Sequence, residues 1–354
     1  MFYRENGQFK TSYRADQQIL PIRQDRLLMA GLLVVAYLVV PWVASDYLLR
    51  AIILPFLILS LAAIGLNLLV GYCGQISLGH AAFMAVGAYA AYNLAVRVPG
   101  MNFLLVLLLA GVCAALVGAL FGIPSLRIKG LYLAVATLAA QFFIDWMFAR
   151  VKWFTNYASS GSVSTATVEL FGWKIETPAE KYLFLLSVVS VLALAAKNLV
   201  RSHIGRSWMA TRDMDVAAEV IGIRPVYAKL TAFAVSAFYV GVAGALWGFM
   251  HLGAWEPAAF GINVSLNLLF MIIIGGMGSI LGSFFGAFFI TVLPILLAQV
   301  PAMLGFNLSV ETGSHLELMI FGALIVFFLI VEPHGLARLW AIGKEKLRLW
   351  PFPH

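Results

Sequence analysis

Charge is the scarcest feature of this 354-residue chain: Asp, Glu, Lys and Arg make up 11% of it while 62% is hydrophobic, against roughly 25% charged in soluble domains. A soluble globular protein is excluded. Cysteine is nearly missing too, with only Cys73 and Cys113, both in apolar stretches, which excludes a secreted disulfide scaffold. There is no phosphate loop, because Gly343-Lys344 is followed by Glu345 and lacks the first glycine, so no ATP site of that kind is expected in this chain. His80, His203, His251, His315 and His334 have no histidine partner three or four residues on, and His354 ends the chain; no metal site is expected. Asp145, Glu256 and Glu332 fall near the ends of apolar runs, so the acidic ladder of a proton-coupled carrier is missing as well.

What the chain does have is long apolar runs, each near the 20 residues that a hydrocarbon core about 30 Å thick demands. Reading between charges gives about ten spans, at 27–45, 48–70, 76–96, 102–122, 131–149, 182–200, 230–250, 263–279, 281–300 and 316–331. The fourth and fifth are separated at Arg127 and Lys129, since a cation at the centre of a span costs roughly 2.5–3.5 kcal/mol. The glycines 275, 276, 278 and 282 leave three forms open for 263–300: two full spans, a tight turn or a re-entrant hairpin. Residues 1–26 are polar with no apolar core, so no cleavable signal peptide is expected there. With both ends on one side, 17 of the 23 Lys and Arg residues fall on that side, which places the termini and the 201–229 loop in the cytoplasm. The net charge of +7 then reflects topology and contact with anionic membrane lipid, not nucleic-acid binding. The expected organisation is a cytoplasmic segment 1–26, a transmembrane domain 27–336 with an outer loop at 150–181 and an inner one at 201–229, and a cytoplasmic tail 337–354. A faint echo between Gly74-Gln75-Ile76-Ser77-Leu78-Gly79 and Gly278-Ser279-Ile280-Leu281-Gly282 would suit two inverted five-helix halves.

Several polar residues stand out because membrane depth makes unsatisfied donors expensive. Gln75, Ser77 and His80 follow the second span, and Asn67, Thr137 and Gln141 sit alone in apolar runs. The first three fit a translocation path or hydrogen bonding between helices equally well, while each of the isolated ones is more often glue between helices than a gate on the path. Gly278, Gly282 and Gly286, four residues apart, suit close helix packing. In the inner loop, 206–221 suits one helix carrying Trp208, Arg212 and Asp215 on adjacent turns, with Gly222 as its stop. Such an element suits docking on another protein or, more blandly, lying on lipid headgroups.

Spacing gives that inner loop a resemblance. Ala217-Ala218 followed by Gly222 fits the Glu-Ala-Ala-x-x-x-Gly loop of ATP-binding-cassette importer permeases, with Val216 where the glutamate would stand. Together with Gly205-Arg206, Ala210, Arg212, Lys229, Ala232-Phe233, Ser236-Ala237 and Gly241-x-x-Gly244, it resembles the branched-chain amino-acid permease family of the LivM type. Four further segments agree in order: Gly71-x-x-Gly74-Gln75-x-Ser77-Leu78-Gly79, Leu126-Arg127-x-x-Gly130-x-Tyr132, Gly275-Gly276-x-Gly278-Ser279, and Pro333-x-Gly335-Leu336.

The resemblance covers roughly 65–336. It implies an all-α polytopic membrane protein that forms half of a pseudo-symmetric pore and is not itself an enzyme. ATP and magnesium would sit on two separate ATPase subunits, alongside a second, LivH-like permease chain and an extracytoplasmic solute-binding protein, in a bacterial inner membrane. Leucine, isoleucine and valine are the implied substrates. The implied ATPase-coupling residues are Gly205, Arg206, Trp208, Arg212, Asp213, Asp215, Ala217, Ala218 and Gly222, with Arg212 and Asp213 expected to face the ATPase groove. A channel or secondary carrier working alone is the competing reading, and a membrane-embedded enzyme a third; neither needs a docking helix.

Overall fold

The computed structural model describes residues 23–303 and 310–349, interrupted at 127, 129, 159–161, 166–167, 171 and 333, together with 11–12 and 18–19. Arg127 and Lys129, on which the separation of the fourth and fifth spans rested, lie outside the described residues, as do most of 1–26 and the last five positions.

Long helices dominate, as the apolar runs require, since in hydrocarbon a helix satisfies its own backbone. They are α1 (Asp25–Val43), α2 (Leu48–Cys73), α3 (His80–Arg97), α4 (Phe103–Gly122), α5 (Leu131–Arg150) and α6 (Pro178–Arg201). Two short helices follow, α7 (His203–Asp213) and α8 (Asp215–Val220), and then α9 (Pro225–Leu252), α10 (Ile262–Gly275), α11 (Ile280–Met303), α12 (Val310–Val331) and α13 (Gly335–Leu349). Eight of the described helices are long and apolar enough to cross a membrane. With α3 and α12 they match the ten expected spans, and the protein is an all-α polytopic membrane protein. The eighth ends at Gly275 instead of 279, because Gly276 and Gly278 take positive φ (121° and 77°) and turn the chain.

The core lies around α2, α3 and α9, where α2 and α3 are buried over nearly their whole length. Small residues allow this: a Cβ on Gly87 would overlap Gly241 O, and one on Gly244 would overlap Met84 O. The 150–181 loop is only partly irregular. Its β1 (Val163–Ser164) pairs antiparallel with β4 (Ala254–Trp255), and β2 (Val168–Leu170) pairs with β3 (Trp173–Ile175). A capping box at Thr177 and Glu180 then starts α6.

The inner loop differs from the single helix expected over 206–221. Met214 is extended (φ −160°, ψ 99°) and divides it into α7 and α8. Each piece is tied to the bundle separately, α7 by Trp208, which is fully buried and donates from Nε1 to Thr231 Oγ1 at 3.0 Å, and α8 by the Asp215–Lys229 pair at 3.9 Å. Gly222 (φ 88°) ends α8 as expected, with Ile223 N donating to Ala218 O in the Schellman pattern.

Candidate functional site

The centre of the bundle is a helix start placed where water cannot serve it. Gly74, in a left-handed conformation, closes α2, residues 74–79 run without regular structure, and α3 begins at His80. The first N–H groups of a helix have no partner within it. Here other helices provide them: Leu78 N donates to Thr137 Oγ1 (3.0 Å), Ala81 N to Ser265 Oγ (2.8 Å) and Ala82 N to Gln141 Oε1 (2.7 Å). Gln141 is fully buried and uses both ends of its amide. Its Oε1 also accepts from Ser265 Oγ (3.2 Å), while its Nε2 donates to Phe260 O (2.9 Å) and Asp145 Oδ1 (3.0 Å).

His80, also fully buried, is fixed by two serines. Ser236 Oγ donates to Gly65 O at 2.6 Å, so it must accept from His80 Nε2 at 2.8 Å. The proton therefore sits on Nε2, and in the neutral ring Nδ1 accepts from Ser77 Oγ at 2.9 Å. Ser77, His80, Thr137 and Gln141 are thus brought into one junction between α2, α3, α5, α9 and α10. Ser236 entered the sequence reading only through the family pattern; Ser265 and Asp145 were missed as members of this junction. Ser265 carries the same signal as Thr137, a lone hydroxyl in an apolar run.

Asn67 and Gln75 lie apart from it. Asn67 holds the turn between α10 and α11, accepting from Gly278 N (2.8 Å) and donating to Ser279 O (2.8 Å) and Ser283 Oγ (2.9 Å). At this point the end of α2 touches the second of the two echoing segments, for a Cβ on Gly71 would overlap Gly278 N. Gly282 and Gly286 pack α11 on α10, where a Cβ on Gly286 would overlap Met271 O, whereas Gly278 sits in the turn. Gln75 makes one weak contact, Nε2 to Cys73 O at 3.4 Å, and its buried Oε1 has no partner.

The loop residues divide into an inward and an outward set. Gly205 lets α7 fold back on the end of α6, since its Cβ would overlap Val200 O. Arg206 Nη1 donates to Arg201 O at 3.1 Å. Arg212 reaches inward with one end, Nη1 donating to Gly71 O at 2.8 Å with Asp213 alongside, while 39% of its side chain stays exposed. Ala218 is buried, whereas Ala217 is exposed. Met214, Val216, Val220 and Ile221 are all exposed, at 64–84% of their surface. The sequence reading overlooked this set, treating Val216 only as a missing glutamate. Among the described residues no group of three or more His, Cys, Asp or Glu could hold a metal ion.

Known proteins resemble this chain in sequence. The family model described as "Branched-chain amino acid transport system / permease component" matches residues 48–329. The high-affinity branched-chain amino acid transport system permease protein LivM of Salmonella typhimurium is 30% identical over 296 residues, covering 77% of this chain and 66% of the relative. The protein of the same name from Escherichia coli is 30% identical over 299 residues with the same coverage. A probable branched-chain amino acid transport permease protein LivM from Methanocaldococcus jannaschii is 20% identical over 238 residues, covering 66% of this chain and 67% of the relative. The chain thus spans just under two thirds of the length of the first two, and no solved structure matches it. The extent of the family match, over the same residues that build the glycine-packed bundle and its central junction, makes this chain a member of the branched-chain amino acid transport system permease family.

Proposed function

We propose that this chain is one of the two membrane-spanning halves of an ATP-driven importer for leucine, isoleucine and valine. It works with a second permease of similar kind, two ATPase subunits that hold ATP and magnesium, and an extracytoplasmic solute-binding protein. The substrate class rests on the relatives, which are high-affinity branched-chain amino acid transport permeases. The α7–α8 end faces the cytoplasm, an orientation supported by the 17-to-6 split of basic residues.

The observation that carries the reading is α8. A six-residue helix presenting Val216, Val220 and Ile221 to water is a poor surface and a good ridge for an apolar groove. A channel or carrier acting alone needs no docking ridge, and would use such a helix only to rest on lipid headgroups. Motion there would pass inward through Arg212 to Gly71, and from Gly71 to the Asn67–Gly278 contact. Closure of the ATPases on nucleotide would so bias the two breaks in the bundle; the differential affinity of ATP for the closed state supplies the driving force. In this scheme the His80–Gln141 junction is a rigid wall of the path, and Gln75, with its unpartnered Oε1, offers an acceptor to a passing ammonium.

The test is reconstitution of the whole complex in liposomes. Leucine uptake is expected only with ATP, both ATPase subunits and the binding protein present; uptake by this chain alone would contradict the reading. In the same system Gln75→Leu is expected to lower uptake while leaving assembly intact.

A further inference from the structure

At the outer end, far along α2 from Arg212, lies a cavity of about 130 Å³ that the junction does not use. Its walls are Arg50 and Leu54 at the start of α2, Glu176 and Lys181 around the start of α6, and Met250 and His251 at the end of α9. The last two are successive residues of a π-helical turn, Trp247–Leu252, an irregularity that recurs at functional sites.

Two cations line this space together, and Arg50 acts electrostatically on Lys181. Neither forms an ion pair with an acid among the described residues. Arg50 is exposed and Lys181 half-buried, so water screens part of the repulsion between them, and an anion lying on both would relieve the rest. Glu176 restricts which anion: it repels a phosphate with no positive group of its own, and it attracts an ammonium. Leu54 and Met250 add an apolar wall. The space equals roughly four waters at about 30 Å³ each, the scale of a small amino acid.

We infer that this cavity is an entry subsite for zwitterionic amino acids with short apolar side chains. The carboxylate lies on Arg50 and Lys181, the ammonium on Glu176, and the side chain against Leu54 and Met250. The inference rests on the importer reading above and adds to it a binding step on the permease itself.

The experiment is equilibrium binding of radiolabelled leucine to the purified complex in nanodiscs without binding protein, with the melting temperature as a folding control. Saturable binding is expected. Arg50→Gln and Glu176→Gln each weaken it about tenfold, the loss of one charge-assisted contact, and Arg50→Lys restores part of it. The two ends of the ligand separate: Glu176→Gln does not weaken the binding of 4-methylpentanoate, which lacks the ammonium, but strengthens it by removing a repelling carboxylate, and Arg50→Gln likewise strengthens the binding of 3-methylbutylamine. Leucine binding indifferent to both variants overturns the inference, as does a site that takes inorganic phosphate in preference to leucine. It is equally overturned if the variants lower only the association of the binding protein, which would make this a docking surface. If the wild-type complex imports leucine while these results fail, the subsite falls and the importer reading stands. If the wild-type complex imports no branched-chain amino acid, the importer reading fails first.

Discussion

The junction around His80 and the short helix α8 invert each other. One places polar atoms in the middle of an apolar bundle and pairs them: Gln141 alone meets Ala82 N, Ser265, Phe260 O and Asp145. The other places apolar side chains in water and pairs them with nothing among the described residues, Val220 being 84% exposed. A polar network that closes on itself is finished within the chain, and its value is rigidity. An exposed apolar ridge is unfinished, and its value depends on a partner. Substitutions in the first should therefore cost stability, and those in the second should cost function alone.

The sharpest contrast comes from Gln141→Leu. It strands a backbone N–H, a carbonyl and a hydroxyl at once, and should destabilise the protein by about 3 kcal/mol or more, read as a fall in melting temperature and folded yield. A variant that melts like wild type would mean water reaches the junction. Next is Arg212→Ala, which removes a charged donor from Gly71 O. It should cost about 1.5–3 kcal/mol and lower uptake more than it lowers ATP hydrolysis, since the link and not the docking surface is cut. Equal loss of both would place Arg212 on the ATPase side. Gly222→Val should cost about 1–2 kcal/mol, because φ is 88° there although no neighbour lies within 4 Å of a new Cβ. Hydrogen exchange should show the loss confined to the end of α8. The smallest effect has the opposite sign. Tyr89 is buried with a hydroxyl that has no partner, so Tyr89→Phe should raise stability by about 1 kcal/mol; a decrease would reveal a hidden partner.

The sequence showed far more of the frame than of its joints. Spans follow from apolar length, and every one of the ten has its helix. The breaks at 74–79 and 276–278 were legible only in part: glycine clusters marked both, but the spans were drawn from 76 and to 279, because glycine in a bilayer also serves close helix packing. Thr137 and Gln141 could be singled out as polar, but not what they bond, because the groups they serve are the N–H atoms of Leu78 and Ala82, which every residue but proline carries. The division at Met214 was invisible for a different reason. Arg212-Asp213-Met214-Asp215 contains no helix breaker, and the extension there comes from tying Trp208 and Asp215 to separate points on α9. The inward turn of Arg212 was hidden likewise, since an arginine in a charged loop reads as solvated until Gly71 O is found beneath it.

The central claim, that α8 is an unfinished surface awaiting an ATPase, is tested most directly by Val216→Asp combined with Val220→Asp. Both side chains are in water, so the purified chain should keep its melting temperature, with any change within about 0.5 kcal/mol. In the reconstituted complex, binding-protein-stimulated ATP hydrolysis and leucine uptake should both fall by at least about tenfold, as expected when two apolar contacts worth about 1 kcal/mol or more each are lost and two charges are buried. Wild-type hydrolysis and uptake from a normally folded double variant would contradict the account.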